Sequence, residues 1–197
     1  MPAEGHIDWK KQLTLPNLLS LLRLVAVPFM AREIYHYPER RVQAVVFFVA
    51  IWMTDMLDGW IARRFDQVSD VGKVLDPLVD KIFQVTTAVM LTVIGRLPLW
   101  VPCFLIAREL VMIIGGALLY SRRRIVVHSR WYGRLTTVLL VIAFALALIL
   151  PDHQVHLIPA FFVAPLLLSL FAMLSYIRHY LNAGKNGNGK SAEAGVP

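Results

Sequence analysis

Long apolar stretches alternate with short polar segments along the whole chain. Six windows of about 20 mostly apolar residues stand out, and a helix of about that length crosses a hydrocarbon core. They lie at Leu13–Ala31, Val42–Ile61, Val74–Ile94, Leu99–Tyr120, Leu135–Leu150 and Leu157–Tyr180. Because the connections between them are short, the pattern predicts an all-α integral membrane protein with the architecture of a six-transmembrane-helix bundle.

The windows predict one membrane domain over residues 1–182 and a flexible tail over residues 183–197. The tail contains GKNGNGKS, Gly184 to Ser191, which has the letters of a phosphate-binding loop. Such a loop works where a strand delivers it and a helix follows, so that backbone amides surround the phosphates. Only AEAGVP follows here, so we interpret the segment as a flexible polar tail.

The composition agrees with a membrane protein, since 57% of the residues are hydrophobic and a soluble domain has about 45–50% apolar residues. Six spans place both termini on one side, which also collects most of the Lys and Arg. The opposite side holds only Arg32, Arg40, Arg41 and Arg96. Because basic residues accumulate on the cytoplasmic side, both termini are predicted to be cytoplasmic.

The net charge of +7 is carried beside the apolar windows. This placement favours anionic lipid headgroups as the partner. A nucleic-acid partner is not expected.

Four aspartates interrupt the apolar pattern in TDMLDGWIARRFDQVSDVGKVLDPLVDK, residues 54–81. Helical residues three, four, seven or eight apart share one face. The first stripe with this spacing consists of Asp55, Asp58, Gly59, Ala62 and Arg63.

A second stripe, Gly72, Asp76 and Asp80, advances in steps of four residues. Two facing helices would therefore present four carboxylates to one small volume, at the cytoplasmic ends of the second and third spans.

Four carboxylates at close range need positive charge among them. Carboxylate oxygens suit Mg²⁺ or Mn²⁺, and two such ions about 4 Å apart can hold the reacting oxygens of a phosphoryl transfer. Gly59, Ala62 and Gly72 leave space for a bulky ligand, and the guanidinium of Arg63 suits a phosphate. Small residues also serve helix packing, which is the alternative explanation for them.

The complete pattern is Asp, two residues, Asp-Gly, two residues, Ala-Arg, eight residues, Gly, three residues, Asp, three residues, Asp. It resembles the signature of the CDP-alcohol phosphatidyltransferases, without a gap or substitution, and the six predicted helices resemble that family along nearly the whole chain. The opening TLPNLLSLLRL and the triplet ARE resemble the branches of this family that make phosphatidylglycerophosphate or cardiolipin.

The resemblance implies an enzyme of the cell (cytoplasmic) membrane that faces the cytoplasm, forms homodimers and takes its phosphatidyl group from CDP-diacylglycerol. By this resemblance Asp55, Asp58, Asp76 and Asp80 bind two divalent cations, Mg²⁺ or Mn²⁺, and Asp80 is also the base that takes the proton of the alcohol. The CDP-binding residues it implies are Asp58, Gly59, Ala62, Arg63 and Gly72.

The alcohol acceptor is predicted from a second basic set, Arg108, Arg130 and Arg134. These arginines suit a second phosphate, so we expect glycerol 3-phosphate as the acceptor, with phosphatidylglycerol as the alternative. Arg108 has a competing explanation in an ion pair with Glu109, and the other two in anchoring at the cytoplasmic face.

A small cation transporter is an alternative from another class. It predicts acidic residues through the depth of the membrane, whereas these acids gather at one edge.

Overall fold

The computed structural model of the protein describes residues 15–64, 72–123 and 131–189, together with most side chains inside those ranges. The described residues form α-helices joined by turns and one short 3-10 helix, and they include no strand. The helices are α1 (Leu15–Tyr35), α2 (Arg41–Arg64), α3 (Gly72–Val93), α4 (Trp100–Arg123), α5 (Trp131–Ile149) and α6 (Ile158–Gly189). Each helix coincides with one predicted window, which confirms the all-helical fold class.

The chain divides into two compact units. The first unit comprises Met1–Pro102 and Phe144–Ile158, and the second comprises Cys103–Ala143 and Pro159–Pro197.

In the first unit, α1 contacts both α2 and α3. A tight turn at residues 36–40 joins α1 to α2, so these two helices run antiparallel. Near the start of α1 Ser20 contacts Asp76, and farther along Met30 contacts Thr87, so α1 and α3 run parallel.

Aromatic rings fill the core of the first unit. The ring of Phe48 stacks on Phe83 with 5.1 Å between centroids and meets Phe144 edge-on at 6.4 Å. All three side chains are buried.

The first half of helix α1 buries polar residues and exposes apolar ones. Ser20 and Arg23 are buried on the face that meets α2 and α3, whereas Leu18, Leu22 and Phe29 are more than half exposed. A helix of a water-soluble protein has the reverse arrangement. The exposed apolar face therefore supports contact with lipid.

At the other end of these helices, the chain turns sharply after α3. Gly95 has a φ of 75°, and the amide of Arg96 donates to the carbonyl of Leu91 while that of Gly95 donates to Thr92. These bonds form a Schellman motif, in which glycine accepts the left-handed conformation at no steric cost. The motif ends α3 at Val93, three residues before Arg96.

Arg96 is buried and forms a cluster with Tyr37 and Asp152, which we call the Arg96 cluster. Its Nη1 donates to the Tyr37 hydroxyl and to Asp152 Oδ1, both at 2.5 Å. Its Nε donates to the carbonyl of Ala147 at 2.8 Å, and its Nη2 to that of Leu150. The guanidinium also lies 4.4 Å from the centre of the Tyr37 ring. One side chain thus joins the connections that follow α1, α3 and α5.

Among the described residues, Asp152–Ser175 is the one segment long and apolar enough to cross a membrane by length and composition, with a mean hydropathy of 2.4. The apolar part of α5, Leu135–Ile149, is shorter, and for the other windows spanning remains a prediction. Helix α6 continues to Gly189, so a helix and not a strand leads into the glycine-rich segment.

Candidate active site

Two of the four predicted aspartates are held by the same face of α1. Arg23 donates from Nη1 to Asp55 Oδ1 on α2, and Ser20 donates from Oγ to Asp76 Oδ1 on α3 at 2.5 Å. Because Ser20 and Arg23 lie one turn apart, they share a face of α1. The structure therefore brings Asp55 of α2 and Asp76 of α3 to the same end of α1. We call this region, with Asp80 one turn farther along α3, the aspartate end.

Burial differs between the partners at the aspartate end. The side chain of Arg23 is 1% exposed, whereas that of Asp55 is 35% exposed. Asp76 and Asp80 are half-buried on α3, and Gly72 is buried where that helix begins. The carboxylates thus remain accessible, whereas the Arg23 guanidinium that holds Asp55 is not.

Part of the predicted site lies outside the described side chains. Asp58, Gly59, Ala62 and Arg63 belong to α2, but their side chains are not among those described. In the described part of the chain, no three His, Cys, Asp or Glu residues group closely enough to hold a metal ion. The donor chemistry of the described aspartates nevertheless fits a hard cation such as Mg²⁺ or Mn²⁺, which prefers carboxylate oxygens.

The predicted acceptor residues lie in the second unit. Arg108 forms an ion pair with its neighbour Glu109 at 3.2 Å, and both side chains are mostly buried. The structure therefore contains the ion pair with Glu109 that is the alternative explanation for Arg108. Arg134 lies in α5 with its side chain outside the described set, and Arg130 lies outside the described residues. Their acceptor role stays a prediction.

Sequence reasoning missed Ser20 and Arg23 as parts of this site. A signal was present, because Arg23 is a charged residue within the first apolar window, and intramembrane charges generally have a partner or a function. Its partner Asp55 is 32 residues away in the chain. No helical spacing rule connects residues so far apart.

A protein-family model matches most of the chain. The family model described as CDP-alcohol phosphatidyltransferase matches residues 13–178, which include every helix that carries a predicted site residue. The chain belongs to the CDP-alcohol phosphatidyltransferase family, and the predicted resemblance is confirmed. Enzymes of this family are membrane-associated and use divalent metal ions.

Several curated relatives cover most of this chain. A probable phosphatidylglycerophosphate synthase of Mycobacterium tuberculosis is 29% identical over 91% of this chain and 88% of its own length. A CDP-diacylglycerol--glycerol-3-phosphate 3-phosphatidyltransferase of Salmonella choleraesuis is 32% identical over 84% of this chain and 94% of its own. A cardiolipin synthase (CMP-forming) of Streptomyces coelicolor is 32% identical over 74% of this chain and 70% of its own.

Proposed function

We propose that this protein transfers a phosphatidyl group from CDP-diacylglycerol to glycerol 3-phosphate, forming phosphatidylglycerophosphate and releasing CMP. The observation that carries the proposal is the family match over residues 13–178, which contains the unbroken aspartate pattern of α2 and α3. Two of the relatives named for this reaction or its product cover more than four fifths of the chain.

The aspartates have distinct roles in this proposal. Asp55, Asp58, Asp76 and Asp80 would hold two divalent cations, Mg²⁺ or Mn²⁺. When bound, such cations supply positive charge to the phosphate oxygens and stabilise the leaving phosphate. The half-burial of Asp55, Asp76 and Asp80 supports this role, because a carboxylate must be reachable to accept a ligand.

Asp80 acts as the general base. It accepts the proton of the acceptor hydroxyl while the hydroxyl oxygen forms a bond to the phosphorus of the phosphatidyl group. The bond from this phosphorus to the oxygen of CMP breaks, and CMP leaves with that oxygen. Asp58, Gly59, Ala62, Arg63 and Gly72 form the CDP site, in which the guanidinium of Arg63 donates to the diphosphate.

The acceptor site consists of Arg108, Arg130 and Arg134. Glycerol 3-phosphate is small and dianionic, so its binding free energy must come largely from charge-assisted hydrogen bonds to its phosphate. The ion pair of Arg108 with Glu109 leaves Arg130 and Arg134 as the main candidates. Phosphatidylglycerol is the second candidate acceptor, favoured by the similarity to the Streptomyces cardiolipin synthase.

The product identifies the acceptor directly. The purified protein in detergent receives isotopically labelled CDP-diacylglycerol, both acceptors and Mg²⁺ or Mn²⁺, and the lipid products are identified by mass spectrometry. We expect phosphatidylglycerophosphate and a matching release of CMP, both abolished by a chelator. Cardiolipin as the sole product would assign the second acceptor, and no CMP release with either acceptor would contradict the proposal as a whole.

Matched arginine variants test the acceptor site. Arg134→Ala should raise the KM for glycerol 3-phosphate by about 10- to 100-fold, corresponding to about 1.5–3 kcal/mol for a lost charged hydrogen bond. The KM for CDP-diacylglycerol should not change. Arg122→Ala is the control, since Arg122 is a basic residue outside the predicted acceptor set, and equal KM values in the two variants would remove Arg134 from the site.

We further propose six spans with both termini and the aspartate end at the cytoplasmic face, in a homodimer. The exposed apolar face of α1 supports lipid contact, and the distribution of basic residues supports the orientation. After replacement of the exposed native Cys103, single cysteines introduced at Gln67 and His153 should react with an impermeant thiol reagent from opposite sides. Labelling of the Gln67→Cys variant from outside intact cells would reverse the orientation.

A further inference from the structure

Helix α1 carries none of the aspartate pattern, yet it makes polar contacts to both helices that do. Ser20 bonds Asp76 of α3, and Arg23 bonds Asp55 of α2. Both α1 side chains are almost completely buried, with the whole residues 0% and 2% exposed. A hydroxyl and a guanidinium at such depth lose their hydration, so these hydrogen bonds replace contacts that water would otherwise make.

Each aspartate is held through a single oxygen. The Oδ1 atom of Asp55 accepts from Arg23, and the Oδ1 atom of Asp76 accepts from Ser20. Neither carboxylate has a further hydrogen-bond partner in the described part of the chain. An ionised carboxylate can accept about four hydrogen bonds or ligand bonds, so the Oδ2 atom of each retains its capacity.

A hydrogen bond to one oxygen restricts the rotation of a carboxylate and thereby fixes the direction of its other oxygen. In metal sites such outer partners orient the ligating groups. We propose that Ser20 and Arg23 are positioning residues for the metal site, which orient the Oδ2 atoms of Asp76 and Asp55 toward the cations. This inference rests on the proposed function, since it takes those two aspartates as metal ligands.

Arg23 has a second effect beside orientation. It places a fixed positive charge against Asp55, and this offsets part of the repulsion between neighbouring carboxylates. A substitution that removes the charge of Arg23 would therefore change both the orientation of Asp55 and the repulsion between the carboxylates. The substitution Arg23→Lys retains a positive charge but replaces the planar guanidinium with a shorter ammonium group, so it tests the geometry of the contact without removing the charge.

The test is the affinity for Mn²⁺ of the full-length protein in detergent without lipid substrate, measured from the electron paramagnetic resonance signal of free Mn²⁺. Ser20→Ala should bind Mn²⁺ about 10- to 100-fold more weakly, the usual cost of losing an outer partner of a metal ligand. Ser20→Thr, which keeps a hydroxyl, should restore most of the affinity. Arg23→Lys should weaken binding about tenfold.

Ser169 provides a matched control. It is also a completely buried serine in a helix, and its hydroxyl has no hydrogen-bond partner among the described residues. Ser169→Ala should leave the Mn²⁺ affinity unchanged. A structural role for Ser20, limited to joining α1 to α3, would lower the unfolding temperature of Ser20→Ala without changing Mn²⁺ affinity in the protein that remains folded.

The outcomes separate the two proposals. If the unmodified protein binds Mn²⁺ and releases CMP while Ser20→Ala and Arg23→Lys bind Mn²⁺ equally well, the positioning role is wrong and the proposed function stands. If the unmodified protein binds no Mn²⁺, the positioning role is wrong together with the metal site. If Ser20→Ala does not fold, Arg23→Lys and Ser20→Thr decide the same question.

Discussion

The aspartate end and the Arg96 cluster occupy opposite ends of the same three helices, α1 to α3, and both are built from buried arginine and acidic partners. In the Arg96 cluster the arginine donates four hydrogen bonds, two of them to backbone carbonyls. An arginine has five N–H donors, so most of its donor capacity is used within the protein. At the aspartate end Asp55 and Asp76 each accept one bond from α1 and keep acceptor capacity.

This difference agrees with a structural role for the Arg96 cluster and with the functional role proposed for the aspartate end. The carbonyls of Ala147 and Leu150 lie in and just after the last turn of α5, where a helix lacks intrahelical donors for its carbonyls. Arg96 supplies those donors, and its positive charge suits the negative end of the helix dipole. At the aspartate end the described contacts of Asp55 and Asp76 use one oxygen of each carboxylate, which agrees with the proposed role of these groups as cation ligands.

The largest expected effect is at the aspartate end. Asp80→Asn should lower turnover by about 10²- to 10⁴-fold, since the amide cannot accept the proton of the acceptor hydroxyl. Binding of CDP-diacylglycerol should persist. Turnover and lipid binding, measured separately on purified protein, test this expectation.

Asp152 is the matched control at the other end. Its side chain is 69% exposed, so Asp152→Asn should leave turnover nearly unchanged. Near-normal turnover of Asp80→Asn, or an equal loss in both variants, would break the distinction between the two ends.

The positions of the helices were predictable because each helix contains a long run of apolar residues that is visible in the sequence. The windows begin and end within a few residues of most helices, and the family pattern located the aspartate stripes. The window that begins at Leu157 is the exception, since α6 extends to Gly189, beyond the expected boundary at residue 182. Beyond residue 182 the backbone of α6 still forms intrahelical hydrogen bonds, and the polar composition of this segment does not show where the helix ends.

The partners of the buried arginines were not predictable from local pattern. Arg96 was counted among the few basic residues of the outer side, yet it is buried against Ala147, 51 residues away in the chain. Arg23 and Asp55 are likewise joined only by the antiparallel course of α1 and α2. Contacts of this kind depend on which helix faces meet, which no spacing within a single helix determines.

The second largest effect is on stability at the Arg96 cluster. Arg96→Met keeps an apolar stem but leaves two carbonyls without their donor, and it should cost about 3 kcal/mol of unfolding free energy. Turnover of the folded fraction should stay close to that of the unmodified protein. Denaturation with a strong detergent, combined with activity measured before unfolding, checks both expectations.

Arg40 is the matched control for that loss. It forms an ion pair with Glu33 at 3.2 Å, and its side chain is 45% exposed. Glu33 is 10% exposed, but Arg40→Gln keeps an N–H donor and leaves no backbone carbonyl without its donor, so it should cost less than Arg96→Met, about 1 kcal/mol. A loss as large as that of Arg96→Met would show that the burial of Arg96 does not distinguish the two arginines.

The smallest effect concerns Tyr37, whose hydroxyl accepts from Arg96 at 2.5 Å and donates to Asp152 at 3.3 Å. Tyr37→Phe keeps the ring against the guanidinium, so at neutral pH it should cost only about 1 kcal/mol.

Burial raises the pKa of Tyr37 above its ordinary value of 10.0, although the charge of Arg96 acts in the opposite direction. The folded state therefore holds this proton more tightly than the unfolded state. The associated stability is fully present below pH 10.0 and is lost as the pH rises through the raised pKa. Unfolding temperatures of the two proteins, measured from neutral pH to above pH 10.0, should converge in that range, and a constant difference would show that the Tyr37 proton is not held by the cluster.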